Sequence, residues 1–206
     1  MTDPSIPSGG PTSASAPPAI RGCTVALERC LALLSEIDDD SFVSSAVDGG
    51  TVGAHLRHCI EYFRCFLGEE RTGVIEYDAR EREHALETDR GLSERAIATL
   101  LEQLAERHDD DLDRVVKIRQ ALAPGAEPEI VQSTVRREWM SLADHTIHHL
   151  AIITQLVTAQ VNAGASENHR ARRLASELGV AFSTQEHRRR TEISAASEQG
   201  PDGCAR

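Results

Sequence analysis

The sequence predicts an all-α fold, a bundle of four helices with at most one small β-hairpin. Three observations carry this. Aromatic residues are only 3% of 206 residues while apolar residues reach 40%, so the core rests on Leu, Val, Ile and Ala, which suits packed helices better than a β-sandwich. Four segments repeat apolar residues at helical spacing. The last of them is apolar on all sides but one narrow stripe, the pattern of a mostly buried helix.

Residues 1–18 are Pro, Ser, Gly, Thr and Ala in the proportions of a disordered tail. A first helix is predicted over 20–37, with Val25, Leu27, Leu31, Leu34 and Ile37 inward and Asp38-Asp39-Asp40 marking its end. Gly49-Gly50 form a turn. A second helix follows over 52–67, with Thr51 as N-cap and Gly68 as stop. Its apolar arc is Val52, Leu56, Cys59, Ile60, Phe63, Phe66 and Leu67. Arg57, Glu61 and Arg64 fall opposite, toward solvent, and His55, His58, Tyr62 and Cys65 run along one edge. Residues 69–87 are charged and irregular. A third helix is predicted over 88–107, with Leu92, Ile97, Leu100, Leu101 and Leu104 inward.

Residues 112–121 and 128–133 alternate as a hairpin around Pro124-Gly125. The fourth helix begins at Ser133 or Thr134 and runs to about Val161, its polar stripe being Arg137, Ser141, Asp144, His148 and Gln155. The bundle thus occupies 19–164. Residues 165–206 are a polar extension, expected to be largely flexible, with one short helix over 170–178 ending at Gly179.

The formal net charge is −11, and the two ends cancel, so all of it lies within 19–164. Such a body repels phosphate backbones, which argues against nucleic acid as a partner, and His187-Arg188-Arg189-Arg190 is too short a basic run to overturn this. Five cysteines with no C-x-x-C pair point to reduced thiols and a cytoplasmic protein. No stretch is apolar enough to span a membrane, and the first residues lack the pattern of a secretory signal.

Three of nine histidines lie in His145-Thr-Ile-His148-His149. His145 and His149, at i and i+4, stack on one helix face and can chelate one ion without distorting the helix. His148 points about 100° away, onto the polar stripe. Two imidazoles in one dry spot both need partners, so a pair is harder than a lone histidine to dismiss as a hydrogen-bonded core residue. A third ligand must come from another element. The second helix offers His55 and His58; the helical wheel puts His55 nearer the arc centre, and spacing alone does not choose. His84, His108, His169 and His187 sit in polar contexts, as surface residues do.

Two stretches resemble the DinB-like superfamily, which includes YfiT-type metal-dependent proteins: Gly50-Thr-Val-Gly-Ala-His-Leu-Arg-His58-Cys-Ile-Glu, and Asp144-His-Thr-Ile-His-His-Leu-Ala-Ile-Ile-Thr-Gln-Leu156. The resemblance covers about 20–160, tightly at these motifs and loosely between them. It implies a four-helix bundle with a long crossover and one divalent ion, zinc or nickel, held by His58, His145 and His149. It also implies a homodimer, and it places His55 one turn from the ligands. The family often has an acid three residues after the first ligand; here it is Glu61 rather than the more usual Asp.

Three neutral imidazoles leave an ion its full charge and an open position, able to acidify a water, polarise a carbonyl or hold a thiolate. The resemblance, whose members include hydrolases and thiol transferases, implies a metal-dependent hydrolase or thiol-group transferase acting on a small molecule. The proton-handling candidates are His55, Glu61, Tyr62, Tyr77, Asp78 and Arg80, the last three in a loop that could fold over the metal end. Arg80 and Arg82 could hold an anionic substrate. The plain alternative for that loop is an ordinary solvated, salt-bridged segment. The alternative for the whole protein is a non-catalytic metal-binding or dimeric interaction bundle of the stress-response kind.

Overall fold

The computed structural model describes residues 16–45, 50–107, 111–164 and 169–198. The expected tail over 1–15, Gly49 of the expected turn, His108 and the side chain of His169 lie outside them. The described chain is mostly helical, with one small three-stranded sheet.

Helix α1 (Pro18–Leu34) opens with a proline in its first turn, where a missing N–H costs nothing. Its buried face is Ile20, Cys23, Ala26, Leu27, Cys30, Leu33 and Leu34. This corrects the expected face, since Val25 is exposed and Leu31 only partly covered. Reduced cysteines and alanine behave as small apolar residues, and they carry the stripe that the larger aliphatics obscured. The helix also stops before Ile37. Asp38 instead caps a new short helix, α2 (Asp39–Val43), its carboxylate accepting the Ser41 N–H at 2.7 Å.

Helix α3 (Val52–Glu69) begins where expected, with the Thr51 hydroxyl accepting the Ala54 N–H at 3.0 Å. It runs past Gly68. A short strand β1 (Val74–Ile75), a single 3₁₀ turn (Tyr77–Ala79) and helix α4 (His84–Thr88) then cover the segment expected to be irregular. Helix α5 (Arg90–Ala105) is capped by Asp89 and buries Ile97, Leu100 and Leu104. Gly53 makes the α3–α4 contact feasible: a Cβ there would stand 2.1 Å from the Glu87 carbonyl oxygen.

The predicted hairpin forms from β2 (Val115–Gln120) and β3 (Glu129–Thr134), antiparallel with Val115 opposite Thr134 and Gln120 opposite Glu129. β1 joins β2 in parallel, giving the order β1-β2-β3. Val116 and Ile118 alternate inward along β2. Helix α6 (Val135–Asn162) follows directly, its start capped by Thr134. α1 and α3 each pack against both α5 and α6, and the core lies between them, with Trp139 edge-on to Phe66 at 4.6 Å.

The C-terminal extension carries two helices, α7 (His169–Leu178) and α8 (Phe182–Glu198). The predicted short helix is α7; it packs on α6 and buries Ala171 and Leu178. Arg29 of α1 holds the turn between them, donating to the carbonyls of Leu178 and Val180 and to Gln185, with its guanidinium 4.9 Å from the Phe182 ring centre. The polarity of the extension hid these anchors from the sequence reading. No helix among the described residues is long and apolar enough to cross a membrane.

Candidate metal centre

α3 and α6 face each other with His55, His58 and Tyr62 on one and His145 and His149 on the other. One ligand atom from each of His58, His145 and His149 lies within 4.8 Å of the others, so the three together could hold a metal ion. The ring centres are 4.9 Å apart for His58 and His145, 4.7 Å for His58 and His149, and 4.6 Å for His145 and His149. His55 stands beside them, its Nδ1 2.9 Å from Nδ1 of His149. His148 is exposed, as its stripe predicts, and so are His84 and His187.

Burial holds all three rings neutral. It pulls His58 and His145 down to about 4 and His149 to about 3, with the neighbouring histidines adding to the effect. Neutral imidazole is the form that ligates a metal. Nε2 of His145 is buried with no hydrogen-bond partner. A buried orphan nitrogen is costly, and an ion would satisfy it. The donor set contains no carboxylate or thiolate, which fits a transition-metal ion rather than calcium or magnesium.

The loop after β1 closes over this cluster. Arg80 donates to Nδ1 of His58 at 3.1 Å and to the Tyr77 carbonyl at 2.8 Å, and its guanidinium sits 4.7 Å from the Tyr62 ring centre. Tyr62 is stacked between His145, at 4.5 Å, and Tyr77, at 4.9 Å. Tyr77 is buried and donates its hydroxyl to Glu138 at 2.9 Å; Ser133 donates to the other oxygen of Glu138 at 2.5 Å. At Tyr77 and Arg80 the segment is therefore packed, not solvated.

Two expectations need correction. Glu61, placed toward solvent by the wheel, is only 2% exposed. Its Oε1 accepts the Glu83 N–H at 2.7 Å, and its Oε2 is 3.9 Å from Arg80 Nε, an ion pair without a hydrogen bond. Burial raises its carboxyl, against the pull of Arg57, Arg80 and Arg82. The wheel sees one helix and not the loop folded across it. Asp78 is not brought to the cluster: it is exposed and accepts the Ala121 N–H at 2.9 Å, tying the loop to the end of β2. Arg82 is likewise exposed, bonded only to the Arg80 and Asp78 carbonyls.

One feature escaped sequence reasoning. A cavity of about 440 Å³ opens beside His145, between α6 and the sheet, with Arg137, Ser141, Gln120, Gln132 and Glu138 in its wall. The signal was available in part, since Arg137, Ser141 and His145 follow one another at four-residue steps. The sheet that roofs the stripe was not. No protein-family model, curated protein or solved structure matches this chain.

Proposed function

We propose that the chain is a DinB-like metalloprotein, with α1, α3, α5 and α6 as a four-helix bundle joined through a long crossover. In this reading it binds one zinc or nickel ion through His58, His145 and His149 and acts on a small molecule as a hydrolase or thiol-group transferase. The observation that carries it is the convergence of three neutral imidazoles from two helices, one with an unpartnered buried nitrogen, beside a cavity of ligand size.

A divalent ion so held supplies an uncompensated positive charge with open coordination positions. The protein's own residues do the rest. Tyr62 and Tyr77 wall one side with stacked rings. Glu138 locks Tyr77 by hydrogen bond, and Glu61 holds the loop through Glu83, so Arg80 is fixed over His58. His55 orients the His149 ring through their shared Nδ1 contact.

That same contact favours a second reading. If His55 serves as a fourth ligand, the site is closed and the ion is a staple in a non-catalytic bundle. Elemental analysis of untagged protein beside His58→Ala and His55→Ala separates the two. The catalytic reading expects one equivalent of metal, lost with His58 and kept without His55. Metal lost equally with either histidine supports the closed site, and a parent that takes up no added zinc or nickel overturns both.

A further inference from the structure

We infer that the cavity between α6 and the sheet binds an elongated small organic acid, its carboxylate held by Arg137 and its other end at His145. The reading rests on the proposed metal centre only for that second end. Three observations carry it.

The first is spacing. Arg137, Ser141 and His145 lie one helical turn apart on α6, all in the cavity wall. Eight residues of α-helix put about 12 Å between the Cα atoms of Arg137 and His145 along the axis. A ligand touching both is extended rather than compact, and 440 Å³ is ample for one.

The second is charge. Around the sheet, Arg114 pairs with Glu70 and Asp111, Arg119 with Glu76, and Arg136 with Asp113. Arg137 alone of these four lines the cavity, and among the described residues no carboxylate pairs with it. The carboxylate in the same wall, Glu138, already has a hydroxyl donor on each oxygen. Arg137 is exposed at the cavity wall, and its guanidinium, with no carboxylate on it, is open to an anion there. Its planar fork matches a carboxylate.

The third is the remaining polar wall of the cavity. The side-chain amides of Gln120 and Gln132 and the Ser141 hydroxyl make no hydrogen bond to protein among the described residues. Each amide offers both a donor and an acceptor, which suits amide or hydroxyl groups along the ligand chain.

The test uses two matched probes, the monohydroxamate of octanedioic acid and the same molecule with its carboxylate as carboxamide. Calorimetric titration of the zinc-loaded full chain should give about tenfold tighter binding of the acid. Arg137→Ala should remove that preference, and Arg136→Ala should keep it. Equal affinities in the parent, or a preference that survives Arg137→Ala, overturns the inference while leaving the metal centre standing. Zinc content of the same sample reports the metal centre separately. If zinc is not retained, octanedioate on metal-free protein, followed by ligand-observed NMR, decides the cavity alone. Binding that disappears with Arg137→Ala upholds it, and no binding to the parent sinks it.

Discussion

Nη2 of Arg80 lies 3.1 Å from Nδ1 of His58, and because a guanidinium only donates, that ring nitrogen is the acceptor. The neutral ring then carries its proton on Nε2. A metal at Nδ1 displaces Arg80. A metal at Nε2 sends the proton to Nδ1 and sets two donors face to face. Arg80 and an ion on His58 therefore compete for one imidazole.

It follows that Arg80→Met, which keeps an apolar stem over Tyr62 and removes the charge, binds zinc about fivefold more tightly. Competition against a chromophoric chelator measures this. An unchanged or weaker affinity in the variant would mean that Arg80 and the metal do not compete.

The three lowered histidines also set a pH dependence of the metal-free protein. Each is neutral in the fold and ordinary, near 6.5, in the unfolded chain. Below that value the unfolded chain takes up protons that the fold refuses. The stability is whole above about pH 6.5 and falls away as pH drops toward 4 and 3. Glu61, raised by burial, pulls the opposite way, one group against three. Urea midpoints of chelator-treated protein should therefore drop between about pH 7 and about pH 5, and His149→Gln should flatten the drop. A midpoint constant over that range contradicts the burial of neutral rings.

What was legible in the sequence, and what was not, follows from range. Thr51 and Thr134 announced their helices because a cap acts within three residues. His145 and His149 could be paired because an i,i+4 spacing is local. The hairpin was readable from alternation in β2, where Val116 and Ile118 point inward. Glu61 and the cavity at Arg137 were misread or missed because their surroundings come from other segments. Periodicity reports which side of a helix is polar and cannot report that a loop or sheet lies over it. α4 was hidden likewise, with Leu86 in an otherwise polar segment, and α7 was legible as a helix while its anchoring through Leu178 was not.

Gly53 gives a test of that hidden packing. α4 approaches α3 so closely that an added Cβ would meet the Glu87 carbonyl oxygen at 2.1 Å and the Phe42 ring at 2.7 Å. Backbone cannot yield as a flexible side chain can. Gly53→Ala should cost about 2 kcal/mol or more in chemical denaturation, although alanine is the better helix former. Gly68→Ala, with nothing within 4 Å, should be neutral or stabilising by up to about 1 kcal/mol. Equal effects at the two positions would show that α4 does not hold this place against α3.

The last prediction separates binding from folding at His145. Its Nε2 is buried and unpartnered, inside a helix whose neighbours Leu142 and Ile147 are built for packing. Leaving such a nitrogen unsatisfied costs about 1–3 kcal/mol, and folding alone gives no reason to bear it. In His145→Leu the polar atom is gone, and an imperfect fit costs less than about 1.5 kcal/mol. The metal-free variant should be about 1 kcal/mol more stable than the metal-free parent, with a Tm a few degrees higher. Added zinc should reverse the order, since an ion that binds only the folded parent stabilises it by mass action. A metal-free variant clearly less stable than the parent would give the imidazole a structural role and remove the main support for a metal at this position.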